Sequence, residues 1–324
     1  MVHFPGGKRP KICLTRRWPE AVEARLRVSY DVTPNETDIP LDPAQLAKAI
    51  RTHDALCPTV ADAITREMLS VPDRRVRIIG NFGVGFEHID LAAAREFGIA
   101  VSNTPDVLTE ATADIAMTLM LMAMRRAGEA ERALRSGKWG GWGPTNFLGQ
   151  GLAGKTLGLV GFGRIARATA RRAEAFGMRI AYHSRREAPD MPPHAYFADL
   201  GALAAEADVL SLHAPGGAET RHMVDAALLA RMPAHAVLVN TGRGSLVDEA
   251  ALALALKERR IAAAGLDVYE AEPEVHPALL DLPNAVLLPH LGSATIETRT
   301  AMGMKVADNL DRFFAGEPLL DPVG

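Results

Sequence analysis

The stretch Lys155-Thr-Leu-Gly-Leu-Val-Gly161-Phe162-Gly163-Arg164-Ile165-Ala166 constrains the fold of this chain more than any other. An apolar run meets GxGxxA, and a helix-compatible segment follows. Gly161 permits a tight turn, Gly163 lets the backbone approach a pyrophosphate, and Ala166 keeps the helix close to the strand. The helix N-terminus then faces the anion. This strand–turn–helix unit points to a parallel α/β sheet that binds a dinucleotide.

The rest of the chain is organised to match. Short apolar segments alternate with helical patterns, the mark of α/β layers. In the first third, Ile12–Leu14, Asp54–Cys57, Val76–Ile79 and Ile99–Val101 read as strands, and Pro43–Thr52, Ala61–Leu69 and Leu91–Phe97 as helices. A long helix is expected from Asp106 to Arg126, with acids early and two arginines at its end, as the helix dipole favours. Six further strands are expected at Thr156–Val160, Met178–Tyr182, Val209–His213, Ala236–Asn240, Ala262–Asp267 and Ala285–Leu288. Six is the count of a doubly wound nucleotide-binding domain. A last helix, about Thr295 to Phe314, is too long for another crossover and is expected to return to the first domain.

Composition closes off other classes. The 324 residues carry 36 Lys plus Arg against 39 Asp plus Glu, without the clustered excess that a nucleic-acid partner needs. The longest nearly apolar run, Ile115–Met124, is too short for a membrane span. The N-terminus shows no signal-peptide pattern, so a cytoplasmic location is expected. Cys13 and Cys57 have no CxxC spacing, and His53 beside Cys57 lacks a third ligand, so neither a disulfide scaffold nor a metal site is expected.

The second expected strand of the dinucleotide domain runs into His183-Ser184-Arg185-Arg186. An NAD-selective site would place a carboxylate at the end of this strand for the ribose 2′-hydroxyl. A hydroxyl followed by two guanidiniums suits a 2′-phosphate instead, because arginine binds phosphate as a planar fork. NADP(H) is the expected cofactor, with NAD(H) possible.

Three further residues follow the fourth, fifth and sixth of these strands: Arg243 in Asn-Thr-Gly-Arg-Gly, Glu272 in Tyr-Glu-Ala-Glu-Pro, and His290 in Pro-His-Leu-Gly. Singly each suits an ordinary turn. Open α/β sheets bind ligands at the carboxyl ends of their strands, so together the three converge beside the cofactor. An arginine to clamp a carboxylate, a histidine to protonate an alkoxide and a glutamate to hold the imidazolium are what hydride transfer to a 2-keto acid requires.

In combination, Gly161-Phe-Gly163-Arg-Ile-Ala166, Asn240-Thr-Gly-Arg243-Gly, Leu266-Asp267-Val…Glu272-Pro and Pro289-His290-Leu-Gly-Ser-Ala-Thr resemble the D-2-hydroxyacid dehydrogenase family. The chain is most similar to its glyoxylate/hydroxypyruvate reductases. The resemblance implies a Rossmann cofactor domain (103–290) inserted into a flavodoxin-like substrate domain (1–102 plus 291–324), both doubly wound parallel sheets. It implies that Arg243, Glu272 and His290 are catalytic. Backbone amides around Val84 and Gly85 would hold the substrate carboxylate, with Leu56 and Ser293 also at the substrate.

Cofactor contacts are implied at Thr112, Gly161–Ile165, Ser184, Arg185, Arg186, His213, Ala214, Pro215 and Thr220. Others fall at Asn240, Thr241, Gly242, Asp267, His290 and Gly292. The segment holding Trp139 and Trp142 commonly reaches a twofold-related subunit in this family, so a homodimer is expected. Two other functions compete with reduction of a small 2-keto acid. Phosphoglycerate oxidation is disfavoured for want of an appended regulatory domain. A nucleotide-sensing corepressor is disfavoured by near-neutral charge and the absence of long disordered tails.

Overall fold

A computed structural model describes residues 8–188 and 194–324. The chain forms two compact units, one of residues up to 108 with 295–324, the other of 109–294.

The first unit contains β1 (Lys11–Leu14), α1 (Glu20–Ser29), β2 (Asp31–Thr33), α2 (Pro43–Thr52) and β3 (Ala55–Cys57). After these come α3 (Arg66–Leu69), β4 (Ile78–Gly80), α4 (Leu91–Glu96) and β5 (Ala100–Ser102). Its parallel sheet has the order β2-β1-β3-β4-β5, the flavodoxin-like winding. Parallel strands covered on both faces need continuous apolar runs. Ile12, Leu14, Ala55, Leu56, Ile78 and Ile79 meet this, each at most 1% exposed. A capping box opens α2, where Asp42 and Gln45 exchange side chain-to-backbone bonds ahead of Pro43.

The second unit opens with α5 (Thr109–Met124) and α6 (Ala127–Arg135). Next come β6 (Thr156–Val160), α7 (Arg164–Ala175), β7 (Arg179–His183), β8 (Ala195–Tyr196), α8 (Leu200–Glu206) and β9 (Val209–Leu212). Then follow α9 (Ala226–Arg231), β10 (Val237–Asn240), α10 (Glu249–Lys257), β11 (Ala263–Leu266), α11 (Pro277–Leu280) and β12 (Ala285–Leu287). Among the described residues the sheet has seven strands, ordered β12-β11-β10-β9-β6-β7-β8 and parallel throughout. Counted from β6 this is the Rossmann order 3-2-1-4-5-6 with one strand added. The winding reverses between β6 and β9. The chain then rejoins the first unit as α12 (Ile296–Ala315), where Val306, Ala307 and Leu310 pack with Val22, Leu26 and Ile78.

Several local expectations need correction. The sheet holds seven strands, not six, because the two-residue edge strand β8 is too short to announce itself. The three-residue edge strand β2, partly exposed, escapes notice for the same reason. The helix expected at 61–69 shrinks to Arg66–Leu69. Asp62 spends its buried carboxylate on Thr59 N and on the Thr15 and Thr59 hydroxyls, which makes 59–62 a turn. The strand at 76–79 begins later, because Arg75 N and Val76 N both donate to Ile50 O at the end of α2. The helix expected at 106–126 is cut at both ends by left-handed residues, Asp106 (φ 75°) and Arg126 (φ 52°), and Arg126 starts α6.

The units divide at 108/109 and 294/295 rather than at 102/103 and 290/291. Asn103 and Thr104 donate backbone bonds to Asp321 O and Gly83 O, while Leu291 and Gly292 are held by Asp267.

Candidate active site

The seven parallel strands of the second unit bring their carboxyl ends to one edge, and the loops leaving them carry the candidate residues. At the point where the winding reverses, Gly161 turns the chain with φ 83°. A Cβ there would lie 2.9 Å from His213 O, so only glycine lets the loops after β6 and β9 approach this closely. Gly163 is the N-cap of α7 and supplies no side-chain cap, at the helix end where the first N–H groups have no intrahelical partner.

A cleft of about 1290 Å³ opens here. Its lining includes Gly161, Phe162 and Gly163, the turn His183–Ala188, and the loop His213–Thr220. It therefore gathers Ser184, Arg185, Arg186, His213, Ala214, Pro215 and Thr220. Arg164 and Ile165 stand beside it in the first turn of α7.

Two hydroxyls expected at the cofactor are engaged within their own loops. Ser184 Oγ donates to Arg186 O at 2.5 Å, and Thr220 Oγ1 to Pro215 O at 2.8 Å. Arg185 and Arg186 are exposed and make no side-chain hydrogen bond or ion pair to the described residues. Burial pulls His213 down to about 4, so it is neutral at neutral pH, with Nε2 2.9 Å from Ser211 Oγ.

Sequence reasoning missed Arg167, which lines the cleft with its guanidinium over the Phe162 ring at 5.1 Å. The signal was a cation one turn into the helix that follows the glycines. It also missed Tyr182, which stacks on Phe162 at 4.0 Å and accepts from Ala188 N. His183 gives Nδ1 to Phe197 O at 2.9 Å. The His194 side chain is only 7% exposed, because it pairs with Glu174 and stands edge-on to Phe162.

Beyond β10, β11 and β12 the contacts become dense. His290 Nδ1 lies 2.8 Å from Glu272 Oε2, and Tyr269 N donates to Glu272 Oε1 at 2.9 Å. Burial alone would raise the Glu272 carboxyl. The His290 bond and charge, the Tyr269 N–H and the Arg243 charge outweigh it, so the group lies below the ordinary carboxylate range. His290 itself takes a left-handed backbone, φ 54°, rare for a residue with a Cβ and found where surroundings over-determine the chain.

Those surroundings are visible. His290 N donates to Asp267 O, and Leu291 N and Gly292 N donate to the Asp267 carboxylate at 2.6 and 2.8 Å. Thr112 Oγ1 donates to Gly292 O at 3.0 Å. Asp267 is 1% exposed, and burial lifts its carboxyl despite the two N–H bonds and the His290 charge. Here Thr112, Asp267 and Gly292, expected at the cofactor, fasten the histidine loop.

Asn240 plays the same part for Arg243. Its side chain accepts from Gly242 N (3.0 Å) and donates to Arg243 O (2.9 Å), while Arg243 Nη1 donates to Gly242 O. Thr241 Oγ1 is buried with no hydrogen-bond partner among the described residues, a group that a polar ligand would satisfy. The glycine turn without room for a Cβ, the cleft over the start of α7 and this unsatisfied hydroxyl fit a dinucleotide.

Ser293 follows this loop, half-buried. Val84 and Gly85 lie in the first unit after β4, where their carbonyls accept from Asn103 and Asn81 side chains. Leu56 departs from expectation. It is a strand residue of β3 with no exposed surface, and its side chain packs with Cys13, Ile50 and Ile79. Among the described residues, no cluster of three or more His, Cys, Asp or Glu side chains could hold a metal ion, and no helix is long and apolar enough to cross a membrane.

Comparison with known proteins gives consistent matches. Residues 117–292 match the family described as D-isomer specific 2-hydroxyacid dehydrogenase, NAD binding domain. Glyoxylate reductase of Thermococcus litoralis is 44% identical over 315 residues, 95% of each chain. Glycerate dehydrogenase of Hyphomicrobium methylovorum is 38% identical over 310 residues, 94% of this chain and 96% of that one. Among solved structures, the NADPH-dependent glyoxylate/hydroxypyruvate reductase of Sinorhizobium meliloti, in complex with NADP and malonate, superposes with a TM-score of 0.87. It is 40% identical and covers 98% of this chain and 97% of that one.

Proposed function

The chain belongs to the D-isomer specific 2-hydroxyacid dehydrogenase family, and from that premise we propose that it reduces glyoxylate or hydroxypyruvate to the 2-hydroxy acid with NADPH. The observation that carries the proposal is the His290–Glu272 pair, 2.8 Å apart at the strand ends and locked from behind by Tyr269 N and Asp267. Nδ1 is committed to the carboxylate, which leaves Nε2 to give its proton to the substrate's 2-oxygen. Glu272 stays ionised and favours the imidazolium that must donate. Arg243 takes the substrate carboxylate through its planar fork, for which the Asn240 turn fixes its backbone. The dinucleotide supplies the hydride.

Arg185 and Arg186 at the cleft support NADPH over NADH, and they outnumber Glu187, the single carboxylate of their turn. We assign the exposed apolar run Leu134, Trp139, Trp142 and Leu148, each more than half exposed, to a homodimer contact. Light scattering after size exclusion should then give the mass of two chains, and a monomer's mass would refute that contact. A cytoplasmic location belongs to the same proposal.

The test is the loss of absorbance at 340 nm with a panel of 2-keto acids and both reduced cofactors. Turnover of glyoxylate or hydroxypyruvate, faster with NADPH at low cofactor concentration, is the expected result. No turnover of any 2-keto acid would instead favour a nucleotide-sensing binding protein.

A further inference from the structure

We infer that Glu270 is a positioning residue for the acid–base centre, joining the loop after β9 to the turn that carries Glu272 through a second histidine–carboxylate pair with His222. The inference rests on the roles proposed above for Glu272 and His290.

Glu270 Oε1 lies 2.9 Å from His222 Nε2 and also takes a bond from the Arg221 guanidinium. Its backbone N–H donates at 2.8 Å to Glu249 Oε1, a carboxylate only 6% exposed at the start of α10. One residue earlier, Tyr269 gives its N–H to Glu272 Oε1 and its hydroxyl to Leu288 O, two residues before His290. The four-residue turn 269–272 is thus tied to the loop after β9, to α10 and to the end of β12.

The loop after β10 rests on the same peptide. A Cβ on Gly244 would lie 1.9 Å from Tyr269 C and 2.3 Å from Glu270 N, so the residue following Arg243 presses directly on the Tyr269–Glu270 backbone. Moving that peptide displaces Glu272 on one side and Arg243 on the other.

An exposed ion pair does little of this kind. This one differs. The Glu270 side chain is 27% exposed and that of His222 33%, and His222 holds a left-handed backbone (φ 51°) while donating N–H to Ser245 O. Burial would raise the Glu270 carboxyl, but the His222 and Arg221 bonds outweigh it and hold it below the usual range. The anchor is therefore ionised at neutral pH. It links the loop lining the dinucleotide cleft to the turn bearing the proton-relay carboxylate.

The test compares Glu270→Ala, Glu270→Gln and His222→Asn in the full-length protein; asparagine tolerates the left-handed backbone. Steady-state kinetics with glyoxylate and NADPH are measured beside the low-field Nδ1–H resonance of His290, which reports its bond to Glu272 without turnover. Glu270→Ala should lower kcat by on the order of tenfold to a hundredfold, with a much smaller change in KM, and should shift or broaden that resonance. Glu270→Gln keeps an acceptor for His222 and should restore most of kcat. His222→Asn should give the same kind of loss, and adding it to Glu270→Ala should cost little more.

Wild-type kcat in folded Glu270→Ala, or a reduced kcat with the resonance unmoved, would overturn the inference. Should Glu270→Ala not fold, the same two outcomes are read from His222→Asn. If wild type reduces no 2-keto acid, the proposed function fails by itself and the resonance alone decides the positioning role.

Discussion

The turn after β7 and the cluster after β10, β11 and β12 lie at the carboxyl ends of one sheet, yet they are built to different standards. In the cluster, Glu272, Arg243 and the His290 loop are each fixed by at least one side chain-to-backbone bond, from Tyr269 N, Asn240 and Asp267. In the turn, Arg185 and Arg186 are exposed, and the bonds to Ser184 O, Arg186 O and Ala188 N shape only the backbone beneath them. Acid–base chemistry depends on reacting atoms held in place before substrate arrives, so rigidity there is rewarded. A phosphate can be met by mobile guanidiniums through charge and several acceptor oxygens, so looseness costs less. The first region should tolerate no change and the second should tune preference.

The largest effect should come from breaking the cluster. His290→Gln keeps polarity and approximate volume but removes the proposed proton donor, so kcat should fall about a hundredfold to ten-thousandfold. Thermal unfolding and NADPH binding should stay close to wild type. Near-normal kcat would move the proton donor elsewhere.

His213, in the loop between the two regions, sharpens the comparison through stability. Its folded pKa of about 4 lies below the unfolded value of 6.5, so the unfolded chain binds more protons across that window. Its contribution is fully present above pH 6.5 and falls as the pH drops toward 4, by about 3 kcal/mol in all at 1.36 kcal/mol per unit. Urea unfolding of wild type and His213→Gln between pH 4 and 7 measures this. The variant should show a flatter slope, and identical slopes would contradict a buried neutral imidazole.

For the second region, Arg185→Ala with Arg186→Ala should raise KM for NADPH about tenfold to a hundredfold, the value of one good charged hydrogen bond. NADH kinetics should hardly change, since NADH offers those arginines no phosphate. Equal loss with both cofactors would mean that the turn supports the cleft rather than reading the 2′-phosphate.

The same contrast explains what could be read from sequence. Gly161-x-Gly163, Arg243, Glu272 and His290 stand out because their chemistry lies in the residue itself and its distance from a strand end. Asn240, Asp267 and Thr112 do not disclose their work, because each acts on a backbone whose position depends on the fold: Asp267 holds residues 24 and 25 positions away, Thr112 one 180 away. Leu56 is placed at the substrate by the resemblance alone, and its pairing with Cys13 makes it the middle of a buried strand. The edge strands β2 and β8 are short enough that neighbours, not their own residues, decide their conformation.

The claim that Glu272 and His290 act as one proton-donating unit is tested most directly by the pH dependence of single-turnover glyoxylate reduction in wild type and Glu272→Gln. In wild type the Glu272 carboxyl lies below the ordinary range, so it stays charged through neutral pH and loses its charge only as pH falls through that lowered pKa. Reduction should therefore fade on the acid side, below the ordinary carboxylate range, as protonation of Glu272 removes the charge that faces His290. Glu272→Gln carries no such charge at any pH, so its rate should be lower throughout and should lack this acid limb. An acid limb at the same pH in both proteins, with hydride transfer rate-limiting, would contradict it.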